Sequence, residues 1–401
     1  MNNGRYARKA SKNLQKICSF RPSRRTGSRG NKEATSYFAE TVKKLGYFLD
    51  TQPFECLDYK SEQTSLSLGD KKFTVYNSPY ALRCDLKAEL VIVSTVQELG
   101  RVSCAGKILL MKDEICTEPL MPKNFIFYNP DYHKKIYSLL EEKNPAAIIT
   151  VAARNPELEG ALYPFPIIVD GDFNIPSVYC ADVIGEEIST HIGEIFNLII
   201  KAERIPSAAN NVIAWKNHQS KEKIAVCAHI DAYENTPGAS DNASGIVVLL
   251  LLAEMLKDYS GSCCIELIAF NGEDHYSAAG QMDYLKRYGS QMKNIALAVN
   301  IDGAGYKKGK TAFSFYGGDG LRKKLQSLFK SFKGLTEGEE WYSGDHMIFV
   351  QKGIPALAFT SEKVSELMAT VSHTDNDIPD IIDENKLVTI AQIVKNIIIE
   401  L

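Results

Sequence analysis

Beyond residue 206 the apolar positions of the chain gather in short solid runs. Lys223–His229, Cys263–Phe270, Ile295–Ile301 and Pro355–Thr360 are such runs. Their length and lack of alternation predict strands buried on both faces. Between them, Ser244–Leu256 reads as a strongly apolar helix, and Gln281–Tyr288 and Glu384–Leu401 as further helices. Apolar strands alternating with helices predict an α/β fold: a mixed, mostly parallel central sheet flanked by helices. Near the start, Ala34, Tyr37, Phe38, Val42 and Leu45 recur at spacings of three and four, which predicts a helix over 31–45 ended by Gly46. The texture differs between about Lys72 and Ile205. Strand-like runs at Glu89–Val93, Lys107–Met111 and Ala146–Val151 and one helix over Asp131–Glu142 are joined by polar, proline-containing loops. This predicts a smaller β-rich domain, 73–205, inserted into a discontinuous one made of 1–72 and 206–401.

Composition narrows the class. The 401 residues are 45% hydrophobic and 24% charged, with net charge −3, so no strong pull toward nucleic acid or anionic membrane is expected. The longest apolar run, Gly245–Leu252, is too short to span a bilayer. MNNGRYARKASKNLQ is basic but has no apolar core of a secretory signal. The nine cysteines are odd in number, scattered and mostly inside apolar runs, as reduced cysteines are. Both features lead to the expectation of a cytoplasmic protein. The stretch RPSRRTGSRGN is read as a solvated loop leading into the first helix, because no aromatic residue interleaves with its charges.

The expected strand ends carry the chemistry, which is where ligand sites gather in open α/β sheets. They deliver His229 and Asp231, then Asp241 just before a helix, then the pair Glu273-Asp274, then Asp302, and last His373 in SHTDND. Imidazole and carboxylate together suit zinc. Hydrolysis by two metals about 3.5–4 Å apart needs a shared water and a bridging carboxylate. It also needs a carboxylate that is not a ligand to take the proton, and Glu273 beside Asp274 fits that division. His218, His275 and His346 are read as satisfied or exposed rather than as ligands. HExxH, GxSxG, the Walker phosphate loop and GxGxxG are all absent.

HIDAYENTPGASDNASG, FNGEDHYSAAG, NIDGAG, GDHMIFVQKGIPALAF and SHTDNDIPDIID, with RPSRRTGSRGNKEATSYFAETVKKLG upstream, resemble the blocks of the co-catalytic zinc peptidase family. That family includes bacterial leucyl-type aminopeptidases, glutamate carboxypeptidase and glutaminyl cyclase. The resemblance implies a phosphorylase/hydrolase-like sandwich and an aminopeptidase acting on peptides with a free N-terminus. It implies two Zn2+ per chain, with other divalent metals such as Co2+ or Mn2+ compatible. His229, Asp241 and Asp302 would hold one ion, and Asp241, Asp274 and His373 the other, with Asp241 bridging. Glu273 would be the general base, Asp231 would orient His229, and the Asp241–Asn242 peptide would be cis. The insertion is similar to a protease-associated domain through AGKILLM, NPAAIITVA and IPSVY. Two positions depart from the family: Asp274 stands where most relatives have Glu, and Ser372 where aminopeptidases often have a Tyr that donates to the oxyanion, with Tyr342 or His346 as substitutes. A glutamate-type carboxypeptidase or dipeptidase is the alternative, and a cyclase or a non-catalytic relative ranks lower. A carboxypeptidase needs a carboxylate clamp, and after Pro206 the chain has only Arg287 and Arg322 to offer. The pattern carries no signal of oligomeric state.

Overall fold

The computed structural model describes residues 3–125, 129–152 and 163–400. Leu401, the last position of the expected C-terminal helix, lies outside them. The chain divides into two compact units. One is made of Met1–Cys56, Ala208–Leu367 and Val371–Leu401, and the other of Leu57–Ser207 with Met368–Thr370.

The first unit is built on an eight-stranded mixed sheet. Its order is Phe48–Asp50, Val212–Lys216, Cys264–Phe270, Lys223–His229, Ile295–Ile301, Ala356–Ser361, Thr311–Tyr316, Leu335–Glu337. The four central strands, Cys264–Phe270 to Ala356–Ser361, pair parallel, and antiparallel pairings lie outside them. These are the strands expected from the solid apolar runs. Nearly all their residues are buried, since helices cover the sheet on both faces. Being parallel, they bring their carboxyl ends to one rim.

Helix Ser244–Met255 is buried from Ser244 to Ala253, which explains its uninterrupted apolar run. It packs against Glu384–Glu400 and Asn3–Cys18 in one continuous core. Asn3–Cys18 was not read from the sequence, where its basic residues mask the stripe Ala10, Leu14 and Ile17. Helix Arg29–Lys44 starts two residues earlier than expected, where the Ser28 hydroxyl caps the Asn31 amide at 3.2 Å.

The expected solvated loop before this helix is instead buried: Ser23, Arg24, Arg25, Thr26 and Ser28 are all inside. The reason is a set of backbone acceptors. Arg24 Nε donates to the Ile230 carbonyl at 3.1 Å and Nη2 to that of Gly238 at 2.9 Å, with a further bond from Nη1 to Pro237. A planar guanidinium can satisfy three converging carbonyls and so be buried with its charge.

The second unit has its own eight-stranded sheet. Strands Cys84–Val93, Ile108–Met111, Ala147–Ala152 and Ser177–Ala181 pair parallel at its centre, with antiparallel partners outside. Helices Val96–Arg101, Asp131–Lys143 and Asp182–Ser189 complete an α/β layer with its own core.

Candidate metal centre

His229 is the last residue of its strand and is 1% exposed. Two residues on, the fully buried Asp231 faces the next strand end. Its Oδ1 accepts the Gly272 amide at 2.9 Å and the Glu273 amide at 3.4 Å, and its Oδ2 the Asp274 amide at 3.1 Å. Charge-assisted bonds to three consecutive amides fix the loop that presents Glu273 and Asp274. Asp231 Oδ1 lies 3.8 Å from His229 Nδ1, beyond hydrogen-bond reach.

Asp241 is held from below. Asp377 Oδ1 accepts the Ser240 amide at 2.7 Å and the Ser240 hydroxyl at 2.8 Å, and Asp377 Oδ2 accepts the Asp241 amide at 3.1 Å. The Asp241–Asn242 peptide is cis. The Asn242 side chain then donates to the Ile301 carbonyl at 2.8 Å and accepts the Gly245 amide at 2.9 Å. Gly245 is required here. A Cβ on it would stand 2.5 Å from the Ile301 carbonyl oxygen and 2.8 Å from Ala228 Cβ.

These supports bring the five expected ligands together. The two oxygens of Asp241 face different histidines: Oδ1 is 3.2 Å from His229 Nε2 and Oδ2 is 3.1 Å from His373 Nε2. Asp302 Oδ1 lies 3.5 Å from His229 Nε2, and Asp274 Oδ1 3.2 Å from His373 Nε2. Neighbouring ligands around an ion with tetrahedral bonds of 2.0–2.2 Å stand about 3.3–3.6 Å apart, and these separations come close to that. His229, Asp241 and Asp274 also offer three ligand atoms within 4.8 Å of one another. Glu273 Oε2 is 3.9 Å from His229 Nε2, beside the set.

The electrostatics ask for a cation. Asp231, Asp241, Glu273, Asp274, Asp302 and Asp345 share this small volume with His229 and His373. Burial pushes the Glu273 carboxyl well above the usual carboxylate range, with Asp302, Asp274 and Asp345 adding to it. Burial also lifts Asp345 to about 7. Burial works against a charged His229, but Asp302, Glu273 and Asp241 outweigh it and hold the imidazole well above its ordinary value. His373 behaves likewise beside Asp274 and Asp241. Asp241 is lowered: its burial is outweighed by His229 and His373. Both ring nitrogens of His229 and Oδ2 of Asp274 are buried yet have no hydrogen-bond partner among the described residues. Buried polar atoms are rarely left so. A divalent ion would satisfy the donor set and offset the carboxylate excess, so the residues fit a metal.

The other histidines are engaged elsewhere. His275 Nδ1 is 3.0 Å from Asp231 Oδ2 and 3.3 Å from the Thr26 hydroxyl. Burial pushes His346 down to about 4, so it is neutral at pH 7. In the network its Nε2 donates to the Trp341 carbonyl at 3.0 Å, and its Nδ1 accepts from Asn300 at 3.3 Å. His218 stacks on Phe48 with ring centroids 5.1 Å apart. Tyr342 is 55% exposed and donates to Glu340, and Ser372 is buried. Arg287 is bound by Asp50 and Asp283, and Arg322 by Glu337. Sequence reasoning passed over Arg24 and Asp377. For Asp377 a signal existed, since it lies four residues after His373 in the terminal block.

Comparison with known proteins places this arrangement. Residues 210–398 match the model of peptidase family M28. The chain is 21% identical over 290 residues to "Probable lipoprotein aminopeptidase LpqL" of Mycobacterium tuberculosis, covering 70% of this chain and 54% of that protein. It is 27% identical over 183 residues to aminopeptidase YwaD of Bacillus subtilis, covering 43% of this chain and 39% of that one. The chain thus spans about half or less of the length of these two relatives. In three dimensions it resembles BSAP, a zinc aminopeptidase from Bacillus subtilis, with a TM-score of 0.78 at 19% identity over 98% of this chain and 95% of that one. Among the described residues no helix is long and apolar enough to cross a membrane. The segment 210–398, which carries all five clustered ligand candidates, is the part of the chain that is similar to peptidase family M28.

Proposed function

We propose that this chain is a zinc-dependent aminopeptidase that removes N-terminal residues from peptides at a two-metal site. The observation that carries the reading is Asp241, with one oxygen at His229, which Asp302 also faces, and the other at His373, which Asp274 also faces. His229, Asp241 and Asp302 would hold one ion, and Asp241, Asp274 and His373 the other. Zinc bound there would acidify a water and polarise the scissile carbonyl. Glu273, outside both donor sets, accepts the proton of the attacking water and passes it to the leaving amine. Asp231 keeps Glu273 and Asp274 in place through their amides.

The engagement of Arg287 and Arg322 by carboxylates supports the aminopeptidase over a glutamate-type carboxypeptidase, which needs cationic groups for its substrate. Asp345 is buried, with Oδ1 accepting from Gln281 at 2.6 Å and Oδ2 without a hydrogen-bond partner among the described residues, and Glu340 accepts from Tyr342. We read 73–205 as a protease-associated-like insertion in a catalytic domain of 1–72 and 206–401; the compact unit Leu57–Ser207 supports this. All nine cysteines are free, which supports a reducing, cytoplasmic setting.

Aminoacyl and N-blocked reporter peptides, each assayed with and without chelator, test the function. Cleavage of the free-amine substrates alone, lost with chelator, is expected; preference for the blocked ones would reject an aminopeptidase. Glu273→Gln should keep the metals and lose turnover, and parent-rate hydrolysis by it would refute the assigned base. One tight zinc, undisturbed by Asp274→Ala and His373→Ala, would point to a cyclase.

A further inference from the structure

Tyr233 lies in the loop after the His229 strand. Its ring is parallel to the imidazole of His373, with 4.6 Å between centroids and 7° between planes. His229 ends a strand in the middle of a sheet and pairs with Phe270 of the adjacent strand, which sets its direction. His373 has no such frame. It follows a short helix, Val364–Thr370, and has a φ of 62°. That left-handed conformation is disfavoured for a non-glycine residue and persists only where surroundings enforce it. Its Nε2 faces Asp241 and Asp274, but its Nδ1 has no hydrogen-bond partner among the described residues. A metal-bound imidazole is generally oriented through its other nitrogen. Here the face of Tyr233 packs on the face of the imidazole instead, and limits its tilt.

The loop that carries Tyr233 is itself held. Arg24 binds the carbonyls of Ile230, Pro237 and Gly238 on either side of it, and Arg25 pairs with Glu234 at 2.9 Å. Arg25 is 7% exposed, and the Glu234 side chain 28%. The buried arginine pair is thereby connected to the site through one aromatic ring.

We propose that Tyr233 is a positioning residue for the second cation. Stacked on His373 and anchored through Arg24 and Arg25, it fixes the imidazole so that Nε2 points between Asp241 and Asp274. The proposal rests on the two-metal reading above.

The test is zinc titration of the full chain in competition with a chromophoric chelator, for the parent, Tyr233→Phe, Tyr233→Ala and Tyr233→Leu. The parent should bind two ions, and Tyr233→Phe should match it at both sites because the ring face is kept. Tyr233→Ala and Tyr233→Leu should keep the His229 ion, which also reports an intact fold, and bind the second about tenfold or more weakly. Parent-like binding of both ions by Tyr233→Ala would overturn the proposal. So would a Tyr233→Phe as weak as Tyr233→Ala, or loss of both ions in the Ala and Leu variants. A parent that binds a single ion would sink the two-metal reading itself and this inference with it.

Discussion

The carboxylate of Asp377 accepts the backbone amide of Asp241 at 3.1 Å, and so fixes the residue that faces both histidines. Its other oxygen takes the amide and hydroxyl of Ser240, at 2.7 and 2.8 Å. Asp377→Ala removes all three bonds and leaves those donors buried. It should weaken metal binding by about 10- to 100-fold, read by chelator competition. Unchanged affinity would mean that Asp241 needs no support from this side.

Gly245 faces three atoms within 2.8 Å of where a Cβ would stand: the Ile301 oxygen, Asn242 Oδ1 and Ala228 Cβ. Two of them belong to the cores of strands and cannot yield cheaply. Gly245→Ala should therefore destabilise the protein by about 1–3 kcal/mol despite the better helix propensity of alanine. A shift of the urea midpoint measures this, and a stabilised variant would show that the helix start can move.

Removing the metal should leave the carboxylates around His229 and His373 without a counter-charge. Chelated protein should melt at a lower temperature, and added zinc should restore the melt in a concentration-dependent way, as expected when an ion binds only the folded state. An identical melt with and without chelator would argue against an ion at this site.

Burial raises the thiols of Cys18 and Cys84 to about 11, and those of Cys180 and Cys264 to about 12. An unfolded cysteine titrates near 8.5. Above that pH the unfolded chain sheds protons that the folded one keeps, so stability falls as pH rises from about 8.5 toward the folded values. Native protein should lose stability over this range. At pH 8 it should alkylate slowly at these four positions, whereas denatured protein titrates all nine thiols. Fast native labelling of Cys180 or Cys264, followed by peptide mapping, would contradict the burial.

The central sheet was legible because parallel strands covered on both faces must be apolar throughout, and such runs stand out in Lys223–His229 and Ile295–Ile301. The placing of His229, Asp241, Glu273, Asp274 and Asp302 followed from the same fact, since the rim of such a sheet is fixed by where its runs end. Other features depend on partners remote in the chain. Helix Asn3–Cys18 buries only four residues, and its stripe acquires meaning only against Glu384–Glu400 and Ser244–Met255. Arg24 and Arg25 look like solvent residues until the carbonyls and carboxylate that accept from them come into place. Asp377 was hidden in a block of polar residues that reads as an ordinary turn.

The turn between His229 and Asp241 is gripped by Arg24 from near one end of the sequence, and Asp241 by Asp377 from near the other. During synthesis the arginine exists long before the turn it binds, and the aspartate long after. A nascent chain that has reached Asp302 already contains four of the five ligand candidates, yet Asp241 still lacks its anchor. On a partly made polypeptide the cluster therefore lacks both His373 and the Asp377 support of Asp241, and the full donor set comes together only once translation has passed residue 377.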